Sequence, residues 1–248
     1  MYFSGQGKLF IATRDANGAA QAFRHVGNVR ELIVDPQTEQ LTHKESGTGQ
    51  RLTDLRLITG KEVAVRFALE DFSIDNLALA LYGAKTTQAG SSVTGEVLPS
   101  GLAVSDYVRL KYPEVSSVVV KDSAGVPATL VANTDYEISS ANHGTLKIKN
   151  LGAYVQPFKV DYTYGAHDYT LMFGTAPVDR WLRFEGLNTA DENKPVLIEL
   201  YKVSLDPTDE LAAIQDNLGG LPMTGNALYD DKKVSDTLLG QFGRFVHI

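Results

Sequence analysis

Five histidines, His25, His43, His143, His167 and His247, are scattered along the chain, and no two stand at i, i+2 or i, i+4. A strand or helix therefore presents no local pair to a metal ion, and no H-E-x-x-H is present. The absence of cysteine removes thiolate metal sites, disulfides and cysteine nucleophiles. Asp230-Asp231 could ligate a cation such as calcium but lacks the loop spacing of a calcium site, so a solvated role is expected. Gly5-Gln6-Gly7-Lys8 and Thr59-Gly60-Lys61-Glu62 resemble fragments of a phosphate loop. In the second, Leu55 occupies the first glycine position and Glu62 the hydroxyl position, so turns are expected at both. Gly47 and Gly49 flank Thr48, not a serine nucleophile. His143, within Asn142-His143-Gly144, reads as a turn residue, and His25 as a packed or exposed strand residue. A carboxylate pair for glycoside chemistry would assemble only in space, and nothing in the sequence marks one. The expectation is a protein with no enzymatic activity, no cofactor and no metal.

The 248 residues are 43% hydrophobic, enough for one large or two modest domains. A formal net charge of −7 argues against general nucleic-acid binding, which relies on cations that neutralise phosphates. Residues 166–248 hold thirteen Asp/Glu against seven Lys/Arg, whereas residues 1–97 and 98–165 are close to balanced. That late excess is expected on a solvated face, or on a surface that repels a polyanion. The first residues show no leader-like basic and apolar regions, and no run of about 18 apolar residues occurs, so a soluble chain without membrane contact is expected.

Period-two patterning dominates, and the expected class is mainly β. Val63, Val65, Phe67 and Leu69 alternate with polar or small residues, which puts them on one face of a strand. Lys8–Ala12 and Asn28–Val34 read as earlier strands, with a turn at Asp15-Ala16-Asn17-Gly18. From Asp35 to Gly60, two arms flank Ser46-Gly47-Thr48-Gly49 as a long hairpin. Its first arm is poor in apolar residues, so it would gain little by folding in a monomer and suits a partner strand. A helix is expected from the cap Ser73 through Ile74, Leu77, Ala78 and Leu81 to Gly83. Lys85–Ser92 reads as a loop.

Residues 98–165 form a second pattern of short strands: 107–110, 118–120, 128–131, 136–138, 145–148 and 158–162. They are read as an inserted all-β module that interrupts a core domain of residues 1–97 and 166–248. Strands resume at 169–173, 180–186 and 196–201, Asp206-Pro207 opens an expected short helix through Leu211 and Ile214, and residues 240–248 form a terminal strand or arm.

This order of features resembles the major tail tube proteins of long-tailed (siphovirus-like) bacteriophages. The resemblance rests on Gly7–Ala12, Phe23–Val29, the hairpin with His43-Lys44-Glu45-Ser46-Gly47, the helix with Leu77 to Leu81 and Tyr82-Gly83, Arg183–Asn188, and Val196–Val203. It covers about three quarters of the chain. It implies a β-sandwich or barrel-like tail tube fold with one flanking helix and a long hairpin arm, plus an immunoglobulin-like insertion. It further implies a virion protein, assembled in the host bacterial cytoplasm, whose hexameric rings stack into a tube. DNA would pass through the lumen without specific binding, and the tape measure, terminator and baseplate or distal tail proteins would be partners. The inserted module stands mid-chain here, whereas some relatives carry it at the C-terminus. Arm residues expected at the contact between subunits are Leu41, His43, Glu45, Arg51, Asp54 and Arg56. Two other readings compete: a carbohydrate-binding or adhesin-like β-protein that uses residues 98–165, and a β-rich hydrolase.

Overall fold

A computed structural model describes residues 2–233 and 238–248. The protein is mainly β, with antiparallel sheets and one short helix among the described residues. It divides into two units, one of Met1–Lys85 with Thr170–Ile248 and one of Thr86–Tyr169. In chain order the first segment holds β1 (Gly5–Thr13), β2 (Arg24–His25), β3 (Val29–Lys44), β4 (Thr53–Leu69) and α1 (Ile74–Ala80), and β5 (Ala84–Gln88) crosses from it into the second unit. The second unit contains β6 (Ser91–Val97), β7 (Tyr107–Arg109), β8 (Val115–Lys121), β9 (Tyr136–Ser140), β10 (Thr145–Ile148) and β11 (Lys159–Tyr164). The chain continues through β12 (His167–Leu171), β13 (Arg180–Asn188), β14 (Lys194–Leu205), β15 (Leu221–Ala227) and β16 (Gly243–His247).

The core unit is one sheet in the order β2-β1-β13-β14-β15-β4-β3. One edge of β14 pairs with β13, while the other is divided between β16, at Val196–Leu200, and β15, at Val203–Leu205. The alternation read in β4 holds: Val65, Phe67 and Leu69 are buried, Val63 packs against the same cluster, and Arg66 is exposed. Each such buried side chain contributes roughly 1.5–3 kcal/mol. The two expected glycine turns are strand positions instead. Gly7 lies opposite Gly186 in the β1–β13 ladder, and a Cβ there would fall 2.2 Å from the Glu185 carbonyl oxygen. Gly60 lies opposite Glu39 beside a register shift, the place where a strand glycine accompanies a bulge.

Helix α1 forms where expected but turns a different side inward. Asn76 and Ala80 are its buried residues, while Leu77 and Leu79 pack at the margin of the core. Asn76 tolerates burial because its Nδ2 donates to the Val26 and Asp71 carbonyls at 2.7 and 2.8 Å, and its Oδ1 accepts from Arg24 Nη1 at 2.7 Å. The second expected helix is absent, and residues 206–220 are irregular. Thr208 Oγ1 donates to the Glu210 and Pro222 carbonyls, competing with helical bonding, and Ile214 is 97% exposed, so no apolar face is buried.

The inserted unit contains two three-stranded sheets, β7-β10-β9 and β6-β11-β8, which share one core that includes Val108, Val120, Leu146, Phe158 and Val160. Its boundary differs from the expected 98–165 because β6 pairs with β11, so the segment read as a loop is partly strand. Ser91 lies opposite Tyr164, so the first and last strands are neighbours and the chain enters and leaves at one end, as an insertion requires. The Ser and Thr residues of β6 hid it from hydropathy. Residues 128–131, by contrast, form no strand, only a bridge at Lys121–Thr129.

Asp135 is buried in this unit and accepts from the Val131 N–H at 2.8 Å, the Tyr154 hydroxyl at 2.8 Å and Asn150 Nδ2 at 3.0 Å. These donors, the Val131 amide first, hold its carboxyl below the usual range. A folded-state pKa below the unfolded one gives stabilisation that is present above the unfolded value, about 3.9, and is lost as pH falls through the folded value. The melting temperature is therefore expected to fall as pH drops below about 4. In Asp135→Asn, melts over that range should show a shallower dependence from a lower starting point. An unchanged slope would remove Asp135 from the account.

Candidate assembly surface

The β3–β4 pair outgrows the sheet that holds it. β15 accompanies β4 only over Val63–Leu69, and beyond that point the two strands continue alone to Lys44 and Thr53. All residues from Pro36 to Lys44 and from Thr53 to Thr59 are exposed. At about 3.3 Å per residue, the eight residues from Gln37 to Lys44 extend the ribbon by about 25 Å. A two-stranded ribbon alone in water is marginal, so its local bonds matter.

At the tip, Glu45 accepts from the Gly47 and Thr48 N–H groups at 2.7 and 2.9 Å and from the Thr48 hydroxyl, while its own N–H donates to the Leu52 carbonyl. The Thr48 hydroxyl is the main cause that brings the Glu45 carboxyl down to about 2. Arg51 stands at the same tip, exposed, with a left-handed backbone at φ 52°. His43 Nδ1 lies 2.6 Å from Asp54 Oδ1, and Arg56 Nε donates to Gln40 Oε1 at 2.5 Å. All six expected arm residues thus lie on the ribbon, but His43, Glu45, Asp54 and Arg56 are engaged within it.

Among what the ribbon leaves over is an apolar face. Leu41 lies opposite Leu57 and His43 opposite Leu55, so Leu41, Leu55 and Leu57 share a face. All three are more than half exposed. The sequence reading included Leu41 and missed the other two. Their signal was the i, i+2 spacing, obscured by Asp54, which the register shift between His43 and Lys44 places in a bulge.

The sheet also keeps open edges. β3 ends the strand order, and β1 meets β2 only at Phe10 and Ile11. The Leu9 carbonyl accepts from the Val26 N–H, so by alternation Gly5 and Gly7 present their backbone polar groups to the same edge without a β2 partner. Beside this edge lies a groove of about 720 Å³ whose lining includes Gly7, Glu31, Leu32, Phe184 and Ile198. Leu32 and Phe184 belong to the margin of the core, and Ile198 is half-buried.

The late acidic excess is only partly a solvated face. Glu199 is buried and takes hydrogen bonds from Arg183 Nη1 at 2.9 Å and Arg244 Nε at 2.8 Å. Asp230, expected on the surface, is buried against Arg14 at 2.6 Å. No group of three or more His, Asp or Glu able to hold a metal occurs among the described residues. No described helix is long and apolar enough to cross a membrane. Residues 2–246 match the family described as Protein of unknown function UCP028589. Comparison with curated proteins gives no match.

Proposed function

We propose that the chain, which belongs to the family UCP028589, is a structural subunit that self-assembles into stacked hexameric rings, the tail tube of a long-tailed bacteriophage. The observation that carries this reading is the ribbon, whose exposed face of Leu41, Leu55 and Leu57 gains nothing by standing in water. Ribbons from neighbouring copies could pair along their open edges, and pairing that closes around a ring leaves no edge exposed. Head-to-tail contacts between rings then extend along the axis as a filament.

In this reading the core sheet is the tail tube fold and the inserted unit an immunoglobulin-like module. In support, its β7-β10-β9 and β8–β11 neighbours reproduce the B-E-D and C-F neighbours of that fold, with β6 in the remaining place beside β11. The protein would act without enzymatic chemistry, in the virion, with DNA passing through the lumen and other tail proteins at the tube ends. Negative-stain microscopy of concentrated protein is expected to show rings or tubes of uniform diameter. A chain that remains monomeric and binds glycans would favour the adhesin-like reading instead.

A further inference from the structure

We propose that Arg24 and Arg180 form an oxyanion site in the core unit, suited to a carboxylate or phosphate group. Arg24 lies opposite Ile11 across β1–β2, and Arg180 opposite Thr13 across β1–β13. Ile11 and Thr13 share a face of β1, so both guanidinium groups rise from that face. They line a cleft of about 360 Å³, together with Thr13, Tyr82, Thr175 and apolar residues that include Leu79 and Val178. That volume lies in the range of small-ligand sites.

The two arginines are held differently. Arg24 Nη1 is anchored at 2.7 Å on Asn76 Oδ1, and Asn76 is itself fixed by the Val26 and Asp71 carbonyls. The Arg180 guanidinium has no hydrogen bond or ion pair among the described residues, although it is half-buried beside a second cation. Burial first, and the Arg24 charge second, push its pKa down. The one carboxylate in the lining, Asp75, has Lys85 Nζ at 3.5 Å. An unpaired cation in such surroundings destabilises the free protein, and an oxyanion that accepts from both forks would reverse that cost. The occupant could be a free small anion or the carboxylate of an exposed acidic side chain on a second copy. Asp209, Glu210 and Asp216 are exposed candidates. Either source is independent of whether the chain builds a tube.

The test compares melting of the full chain in inorganic phosphate and in chloride at matched ionic strength, for the wild type and Arg180→Gln. Because Arg180 has no described partner to lose, R180Q is expected to melt at least as high as the wild type in chloride. Wild type should gain about 3 °C or more in phosphate, and R180Q less than a third of that gain. Arg180→Lys, which keeps the charge without the fork, should fall between them. An equal phosphate gain in R180Q, or R180Q melting clearly below the wild type in chloride, would overturn the site. Sedimentation at low salt separates the sources. Association that disappears in R180Q and on adding phosphate assigns a neighbour's carboxylate, whereas phosphate binding by a chain that stays monomeric assigns a free anion.

Discussion

Leu55→Asp combined with Leu57→Asp is expected to give a folded chain that forms no rings or tubes. Both side chains are more than half exposed and lie on a ribbon beyond the region where β15 supports β4, so the monomer loses little packing. Substitutions at such positions usually change stability by about 0.5 kcal/mol or less. In an assembled ring the balance is different. Burial of each leucine would contribute roughly 1.5–3 kcal/mol, and each aspartate would instead bring an unpaired charge into the contact. A loss of about 4 kcal/mol per contact weakens association roughly a thousandfold. Circular dichroism should report an unchanged melting temperature, while sedimentation and negative-stain images should show monomers. Deletion of residues 38–58 should give the same separation of folding from assembly. Variants that polymerise at the wild-type critical concentration would remove the ribbon from the contact and leave the open β1 edge as the surface to test.

Much of this architecture is legible because strands with one face on a core must alternate. Val63 to Leu69 shows the pattern plainly, and the helix begins after Ser73 as expected, although the Ser73 side chain makes no capping bond and the C-cap is Leu81 rather than Gly83. The failures have a common cause, which is that hydropathy cannot see hydrogen-bond satisfaction. Asn76 is the inward residue of α1 because three partners wait for it, a fact that becomes visible only when β2 and the Asp71 turn are in place. Asp230 and Glu199 look like surface acids until Arg14, Arg183 and Arg244 arrive from distant segments. Polar β6 becomes a strand because β11 offers it an edge. The apolar ribbon face escaped for a related reason: the register shifts on β4 interrupt the alternation, and the partner Leu41 lies on the other arm.

Removal of one buried charge should have the largest effect on stability. Asp230 is 1% exposed, and its Oδ2 receives Arg14 Nη2 at 2.6 Å, joining segments 216 residues apart. Arg14, only 11% exposed, would be left as a buried cation without that carboxylate in Asp230→Ala. Breaking such a pair from one side costs about 3–5 kcal/mol. At roughly 2–4 °C per kcal/mol for a chain of this size, the melting temperature should fall by about 6–20 °C. Glu199 provides the contrast. Its loss leaves Arg183 with Glu185 at 2.7 Å, and both arginines are about one-third exposed, so the orphaned charges keep a partner or water. Arg14→Met with Asp230→Leu removes both charges together, and because a well-packed apolar pair can replace a buried ion pair without loss, it should recover most of the stability lost in D230A. High salt should leave the wild-type pair largely unaffected, because burial limits screening. A D230A chain that melts within about 2 °C of wild type would place the pair with exposed bridges, whose usual contribution is below about 1 kcal/mol.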